Sequence, residues 1–297
     1  MSDRAILVTG GTGQVAQALA AAAGRRDLRV VGRPDFDFDR PQTLRAALDA
    51  VSPSLVVNAA AYTAVDKAES EPDAAWRANR DGPAALGAWC AERGARLIHI
   101  STDYVFDGLK GAPYVEEDAT GPTGVYGASK LAGEQAVLAL CPRAIVLRTA
   151  WVYSPTGKNF VRTMLTLGRT RDRLTVVADQ KGCPTAAADL ADAILAIAGQ
   201  IAEAGWQARF AGVYHAAGSG WTTWFGLATA VFEAAARHGA LVPAVVPITT
   251  AAWPTPARRP ADSRLACEKL AATFGLGLPD WRGSLRRTVD TMLATAE

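Results

Sequence analysis

Short apolar runs alternate with longer, alanine-rich stretches through the first half of the chain. The runs are continuous, which is typical of strands buried on both faces, and the longer stretches have helical composition. Strands are predicted at residues 5–9, 29–31, 55–58, 97–100 and 144–147, and helices at 14–23, 41–51, 73–93 and 125–140. Pro83 is expected to kink or break the third helix. This alternation predicts an α/β fold with a doubly wound parallel sheet covered by helices on both faces.

The second half of the chain has a weaker periodicity. Helices are predicted near 158–168, 188–202, 222–238, 264–275 and 283–295, and strands near 174–178, 212–216 and 244–248. No linker rich in glycine and serine separates the two halves. We therefore expect a smaller α/β lobe that packs directly against the sheet, with a cleft between them.

Composition and charge narrow the class of protein. With 297 residues and 49% hydrophobic residues, the chain can bury enough surface to offset its ordering entropy. The balance of 31 basic against 29 acidic residues provides no field for capturing nucleic acid. No apolar run approaches the length of a membrane helix or of a signal-peptide core, so we expect a cytoplasmic protein. The four cysteines and three histidines form no ligand pattern, so we expect no metal site and no disulfide framework.

A glycine-rich turn follows the first predicted strand. Gly10, Gly13 and Ala16 follow a G-x-x-G-x-x-A spacing, which allows a tight turn and close approach of the backbone to a ligand. Gln14 and Val15 then open a helix whose N-terminus offers unpaired N–H groups to a pyrophosphate. At the first strand–helix turn of an α/β chain, this motif predicts dinucleotide binding.

The segments after the second and third strands bear on which dinucleotide binds. Arg33 stands where an arginine can meet a 2′-phosphate, so the sequence favours NADPH, with NADH also accepted. Asp37 and Phe38 are expected to flank the adenine. Small residues after the third strand allow close approach of the cofactor's ribose and nicotinamide half, at Ala59, Ala60, Ala61, Tyr62 and Thr63.

Tyr126 and Lys130 are spaced i, i+4 on a predicted helix and so share one of its faces. The chain has only six lysines, which makes a chance pair uncommon. A nearby ammonium would lower the pKa of Tyr126, which could then hand a proton to a carbonyl oxygen that receives hydride. Thr102, at the end of the fourth strand, could polarise the same carbonyl. These residues predict a nicotinamide-dependent reductase.

The two halves of the chain are therefore predicted to have different functions. Residues 1–150 are predicted to form mainly a Rossmann-like dinucleotide-binding domain. Residues 151–297 are predicted to form mainly a smaller substrate lobe, with some segments interleaved.

The motifs together resemble the short-chain dehydrogenase/reductase superfamily in its extended form and, within it, the dTDP-4-dehydrorhamnose reductase family. The resemblance covers essentially the whole chain, and its most specific segments are 58–69, 101–108, 122–130, 148–153, 159–160, 179–180, 184–185 and 259–263. It implies NAD(P)H-dependent reduction of the C4 keto group of dTDP-4-dehydro-L-rhamnose, the last step of dTDP-L-rhamnose synthesis. It also implies that Tyr126 donates the proton, Lys130 positions the cofactor and Thr102 orients the keto oxygen.

The same resemblance implies a set of substrate contacts. Asp103 would lie beside the sugar and Trp151 would form a wall of its pocket. The nucleotide side would carry Asn159, Phe160, Arg258 and Arg259.

Three departures from the family pattern stand out. Ala16 replaces the usual third glycine, and Asp262 stands where the family commonly has asparagine. An ionised aspartate cannot donate a hydrogen bond, which puts one substrate contact in doubt. The carboxylate through which some relatives bind a bridging metal is missing near Ala16. A homodimer stays open, but a metal-bridged one is not predicted.

Two other functions stay open. One is a sugar-nucleotide 4,6-dehydratase or 4-epimerase, although dehydratases place a glutamate where this chain has Tyr104. The other is a non-catalytic regulatory subunit of the same fold, like the β subunit of methionine adenosyltransferase. The presence of Thr102, Tyr126 and Lys130 favours an enzyme.

Overall fold

A computed structural model describes residues 5–294. Residues 1–4 and 295–297, at the ends of the two predicted domains, lie outside the described residues. The last predicted helix was expected to reach 295, so its final residue is among them.

The first half of the chain alternates strands and helices as predicted. Its elements are β1 (Ile6–Thr9), α1 (Gln14–Ala22), β2 (Leu28–Val31), α2 (Pro41–Val51), β3 (Leu55–Asn58), α3 (Val65–Ala68), α4 (Pro72–Trp76), a π-helical segment (Arg77–Asp81), α5 (Gly82–Arg93), β4 (Arg96–Thr102), a 3-10 turn (Asp103–Val105), α6 (Val125–Leu140) and β5 (Ala144–Thr149).

The second half carries shorter strands and several long helices. Its elements are β6 (Val152–Tyr153), α7 (Phe160–Gly168), β7 (Arg173–Val177), β8 (Lys181–Gly182), β9 (Thr185–Ala186), α8 (Ala187–Ala204), a 3-10 turn (Ala208–Phe210), β10 (Gly212–His215), β11 (Thr222–Thr223), α9 (Trp224–Ala236), β12 (Ala244–Ile248), a 3-10 turn (Thr250–Ala252), α10 (Glu268–Phe274) and α11 (Trp281–Ala294).

The main sheet has six parallel strands in the order β10-β5-β4-β3-β1-β2. This arrangement confirms the predicted doubly wound parallel sheet. The strand order reverses between β1 and β3, and ligands of such sheets bind at the carboxyl ends of the strands beside that reversal. Thr9 and Asn58 are paired there in register, and the Thr9 hydroxyl donates to Oδ1 of Asn58 at 2.6 Å.

The sixth strand of the sheet comes from the second half of the chain, since β10 pairs with β5. Helix α8 also packs on α1, and its Leu190 and Ile194 lie in the same core cluster as Val8 and Ile145. Burying these side chains removes apolar surface of both halves from water, which ties the halves together. The division into a cofactor domain and a substrate lobe stays a prediction.

A second core holds the remaining elements of the second half together. The strands β7 and β12 pair in parallel, and α9 packs on them and on α7 and α11. Buried side chains from these elements form the cluster, including Val161, Val231, Phe232 and Leu285. Trp151 and Phe160, two of the residues that the resemblance assigns to the substrate, pack against this cluster.

The helix predicted over 73–93 is three segments. Pro72 opens α4, the π-helical segment follows, and Pro83 lies in the first turn of α5, where its missing N–H leaves no donor unpaired. The backbone stays helical through Asp81 and Gly82, so the chain does not break at Pro83, which lies just after the π-helical segment. Within residues 5–294, no helix is both long enough and apolar enough to span a bilayer.

Candidate active site

The glycine turn between β1 and α1 is shaped by close backbone contacts. Gly10 has φ +112°, and a Cβ there would lie 2.9 Å from the carbonyl oxygen of Ala59. Gly11 has φ +52° and packs against Gly32, where a Cβ would lie 2.6 Å from the Gly11 Cα. Only glycine tolerates both the dihedral angles and the contacts.

Helix α1 begins directly after this turn, with Gly13 at its N-cap. No side chain caps the helix, so its first N–H groups can be satisfied by an anionic ligand. Ala16 is fully buried under the sheet, so the departure from glycine at that position is accommodated by the helix–strand packing. Gln14 and Val15, both half-buried, lie in the first turn. The turn fits the pyrophosphate of a dinucleotide.

The segment after β2 holds its charged side chains in a network. The exposed guanidinium of Arg33 donates to Oδ1 of Asp37 at 3.0 Å and to Oδ2 of Asp39 at 2.8 Å. Asp39 also accepts from Arg77 at 3.0 Å. Burial acts to raise the pKa of Asp37, but the backbone N–H of Asp39 and the Arg33 guanidinium outweigh it and lower the pKa. Phe38 packs against Gly82, where a Cβ would lie 2.4 Å from its ring. The predicted adenine contacts of Asp37 and Phe38 stay predictions.

The loop after β3 runs from Ala59 to Thr63 along the carboxyl end of the sheet. The N–H of Ala60 donates to Oγ1 of Thr9 at 3.3 Å, which fixes the loop to β1. The hydroxyl of Tyr62 donates to Glu71 at 2.7 Å. Ala59, Ala60 and Ala61 are half-buried and Thr63 is exposed, so small side chains face the crevice beside the glycine turn.

Asn79 is a site residue that the sequence analysis missed. It is fully buried in the π-helical segment; its Oδ1 accepts from the N–H of Tyr62 at 2.8 Å, and its Nδ2 donates to Oγ of Ser129 at 3.0 Å. It thus joins the loop after β3 to helix α6. π-helical turns are rare and frequent at functional sites. The only signal in the sequence was a polar residue within an otherwise apolar helical face.

Helix α6 places Tyr126 at the carboxyl end of β4. Its start is set by Glu69, whose Oε1 accepts from the N–H of Val125 at 2.8 Å. The ring of Tyr126 lies edge-on to that of Tyr104, with 5.6 Å between centroids. Burial raises the pKa of Tyr126, and the neighbouring Thr102 hydroxyl offsets this only in part. The structure therefore brings Thr102 and Tyr126 together, as predicted from their positions.

Lys130 does not have the predicted effect on the pKa of Tyr126. Its Nζ donates to the carbonyl oxygen of Ile100 at 2.6 Å, and its side chain is 2% exposed. Burial lowers the pKa of Lys130 to about 8, and the Glu134 carboxylate acts in the opposite direction. The expected lowering of the Tyr126 pKa by Lys130 is not found, because desolvation dominates and the ammonium is turned toward β4.

Asp103 follows Thr102 and is 2% exposed. Its Oδ1 accepts from the Thr102 hydroxyl at 3.1 Å, while its Oδ2 has no hydrogen-bond partner among the described residues. Burial raises the pKa of Asp103 to about 6, although hydrogen bonds with the Ser263 and Thr102 side chains act to lower it. A buried carboxylate oxygen without a partner is costly, so this group is suited to accept from a ligand hydroxyl beside Thr102.

Trp151 follows β5 with φ +47°, a strained conformation for a bulky residue. Its indole stacks on Trp224 with 3.5 Å between centroids and a 6° angle. The ring of Phe160 also packs against Trp224, with 4.7 Å between the ring centroids. Gly182 provides the space, since a Cβ there would lie 2.3 Å from the Trp151 ring. The aromatic group joins β6, α7 and α9; the role of Trp151 as a sugar wall stays a prediction.

Both polar atoms of the Asn159 side chain form hydrogen bonds within the protein. Its Oδ1 accepts from the N–H of Arg162 at 3.0 Å and so caps α7. Its Nδ2 donates to Oε1 of Gln14 at 2.9 Å and to the carbonyl of Ser154 at 2.9 Å. The predicted contact of Asn159 with substrate would have to compete with these bonds.

The predicted pair Arg258 and Arg259 is divided by the fold. Arg258 is exposed, with its carbonyl accepting from Thr123 at 3.2 Å. Arg259 points inward, where it donates to the Tyr104 hydroxyl at 3.0 Å and to Asp66 at 2.7 Å. The inner arginine therefore lies one ring away from Tyr126.

Comparisons with known proteins show which family the chain belongs to. The family described as the RmlD substrate binding domain matches residues 4–294. A dTDP-4-dehydrorhamnose reductase of Sinorhizobium fredii is 49% identical over 97% of both chains. The chain belongs to the dTDP-4-dehydrorhamnose reductase family.

Solved structures of dTDP-4-dehydrorhamnose reductases have the same fold. One from Clostridium acetobutylicum superposes with a TM-score of 0.88 at 36% identity, covering 97% of this chain and 99% of that one. Another, from Bacillus anthracis in complex with NADP, has a TM-score of 0.88 at 32% identity with the same coverage. The predicted recognition of the family is confirmed.

The departure from the family pattern at Asp262 has a partner in the structure. Arg264 donates to it twice, from Nε to Oδ1 at 2.7 Å and from its terminal nitrogen to Oδ2 at 2.6 Å. Such a fork is stronger than neutral hydrogen bonds and uses both carboxylate oxygens. Within residues 5–294, no group of three or more His, Cys, Asp or Glu side chains is placed to hold a metal ion.

Proposed function

We propose that the protein reduces the C4 keto group of dTDP-4-dehydro-L-rhamnose with NADPH and releases dTDP-L-rhamnose. One observation carries the proposal: the hydroxyls of Thr102 and Tyr126 lie together at the carboxyl end of β4, beside the buried Lys130. Membership of the dTDP-4-dehydrorhamnose reductase family supports the substrate.

The glycine turn supports the cofactor. Its backbone has no room for side chains at Gly10, and the uncapped N-terminus of α1 suits a pyrophosphate. A relative solved with NADP supports the phosphorylated dinucleotide, and NADH is the proposed secondary cofactor. When bound, NADPH supplies the hydride. Arg33 is proposed to meet its 2′-phosphate, and the loop from Ala59 to Thr63 its nicotinamide half.

The side chains at the end of β4 act on the keto oxygen. The raised pKa of Tyr126 keeps its hydroxyl protonated at neutral pH, so the proton is available for donation. The Thr102 hydroxyl holds the same oxygen from a second direction, as negative charge develops there. Lys130 is proposed to position the cofactor's ribose, while its ammonium is held by the Ile100 carbonyl oxygen.

We also propose a location. The four cysteines are free thiols, three of them buried, and a reducing compartment maintains that state. The cytoplasm is such a compartment and is where we place the reaction. A homodimer stays a prediction.

A Tyr126→Phe variant tests the function. NADPH oxidation with dTDP-4-dehydro-L-rhamnose should lose at least about a hundredfold in kcat with little change in KM, since only the proton donor is removed. Tyr104→Phe is the matched control, because its ring contacts Tyr126. An equal loss in both variants would contradict the assignment of Tyr126. A wild-type protein that turns over no keto sugar nucleotide would instead favour the regulatory subunit.

A further inference from the structure

A buried carboxylate lies on helix α6 one turn beyond Lys130. Glu134 is 1% exposed, and an ionised side chain at such a position is costly unless it is paired and hydrogen-bonded. No feature of the proposed reaction uses this residue. Its partners therefore indicate why the chain places a carboxylate there.

The first partner of Glu134 is Arg148 on β5. The Arg148 Nε donates to both carboxylate oxygens, at 3.0 and 3.1 Å, and its terminal nitrogen donates to Oε2 at 2.7 Å. Its guanidinium also lies 5.0 Å from the centre of the Phe106 ring. Removing one partner of such a pair leaves an uncompensated buried charge, so the two residues hold α6 against the sheet.

The second partner is Ser101 on β4, whose hydroxyl donates to Oε1 of Glu134. Ser101 is paired in register with Arg148 and directly precedes Thr102. Lys130 holds the preceding residue, Ile100, through its carbonyl oxygen. Two side chains one helical turn apart thus secure consecutive residues of the strand that ends in Thr102.

Glu134 and Lys130 also interact electrostatically. Two titratable groups interact with the Lys130 charge, His99 on β4 and Glu134 on its own helix, and the Arg148 guanidinium on β5 lies beyond Glu134. Burial and the Lys130 charge lower the pKa of His99 well below its usual value, so His99 is neutral. Glu134, which pairs directly with the Arg148 guanidinium, also acts on the Lys130 ammonium four residues earlier in the helix.

We propose that Glu134 is a positioning residue: with Ser101 and Arg148 it fixes the strand end that carries Thr102, and its charge keeps Lys130 in the ammonium form. The proposal rests on the proposed function for the consequence in catalysis. The effect on Lys130 itself does not need a substrate, so it is measured separately.

The test is a titration of Lys130 followed by NMR of protein labelled with ¹³C at the lysine ε-carbons. Six lysines give few signals, and Lys130→Met assigns the one of interest. In Glu134→Gln the midpoint of Lys130 should fall by about one pH unit, because a neighbouring negative charge is lost. In Glu134→Asp, which keeps the charge, it should stay within a few tenths of a unit. An unchanged midpoint in Glu134→Gln overturns the proposal.

Kinetics provides the second readout. Loss of activity in Glu134→Gln should be small at pH 6 and about fivefold or more at pH 8, because the ammonium form is lost earlier. A merely structural role would lower kcat equally at both pH values, and that result overturns the proposal. If wild-type protein has no reductase activity, the proposed function fails while the titration still decides the role of Glu134.

A double variant repeats the titration in a protein that should still fold without the Glu134–Arg148 ion pair. Glu134→Met/Arg148→Met replaces both charges by apolar side chains of similar length, a change that buried ion pairs often tolerate. Because the positive charge of Arg148 is lost as well, its Lys130 midpoint should lie above that of Glu134→Gln. A midpoint at or below that of Glu134→Gln would refute the charge role.

Discussion

The side-chain amide of Asn159 donates to Oε1 of Gln14 across 2.9 Å. Gln14 opens the helix that follows the glycine turn, whereas Asn159 caps α7 in the second lobe. The cofactor turn and the substrate lobe are therefore joined at Gln14 by this hydrogen bond, between residues 145 positions apart, and by a second from the Ser154 hydroxyl at 3.1 Å. Loosening the lobe should disturb the cofactor site.

This joint makes Asn159→Asp informative. Aspartate still accepts from the Arg162 N–H and caps α7, but it cannot donate to Gln14. We expect KM for NADPH to rise several-fold, with KM for the sugar nucleotide little changed and Tm lower by about 2 °C. Asn159→Ala should lose more stability because the cap is lost as well. A rise confined to the sugar-nucleotide KM would instead support the direct substrate contact predicted from the sequence.

Cofactor preference should depend on Arg33. In Arg33→Ala, KM for NADPH should rise about tenfold or more while KM for NADH stays within about twofold, because only NADPH has the 2′-phosphate. Steady-state kinetics with each cofactor measures this. Arg29→Ala is the control, since Arg29 is similarly exposed, at 61% against 68%, and also pairs with an aspartate. Equal changes for both cofactors would discard the phosphate contact.

Asp103 should make stability depend on pH. Because burial raises its pKa to about 6 from an ordinary value near 4, folding favours the protonated form. The stabilisation it gives is complete below about pH 4 and is lost as the pH rises through about 6. Asp103→Asn should therefore equal the wild type near pH 4 and be more stable by about 3 kcal/mol at pH 8.

Urea unfolding at both pH values measures this difference. Asp35→Asn, at an exposed position, controls for the loss of one negative charge. A variant at Asp103 that is less stable than the wild type at pH 8 would show that the carboxylate is well solvated or paired.

Arg259 should contribute to binding more than its neighbour. Arg259→Lys keeps the charge but cannot hold the Tyr104 hydroxyl and Asp66 together. Losing a charge-assisted hydrogen bond costs about 1.5–3 kcal/mol, so KM for the sugar nucleotide should rise about tenfold or more. Arg258→Lys, at the exposed neighbour, should change it by less than about twofold. Similar effects of the two variants would argue against this division of roles.

Much of the fold was predictable because its signals are local. The continuous apolar runs of β1, β3, β4 and β5 mark strands buried on both faces, and the six-stranded parallel sheet confirms them. The glycine turn is equally local, since the positive φ of Gly10 restricts the residue type at that position. The π-helical segment was not predictable, because an extra residue in a helical turn leaves the apolar pattern nearly unchanged.

The site was predictable only where it depends on one element or on a strand end. Tyr126 and Lys130 share a face of α6, and Thr102 ends β4. The direction in which each of these side chains points could not be predicted from the sequence. Lys130 turns to Ile100, and of the adjacent Arg258 and Arg259 only Arg259 is partly buried, where it bonds to Tyr104 and Asp66.

The sequence by itself determined the strand–helix order, the glycine turn and the residue types of the reductase site, because each follows from neighbours a few positions apart. Only the tertiary structure decided that Asn159 bonds to Gln14, that Asn79 joins the loop after β3 to helix α6 and that Glu134 pairs with Arg148. Those contacts join residues far apart in the chain, and burial, which selects their partners, exists only after the sheet and its helices have packed.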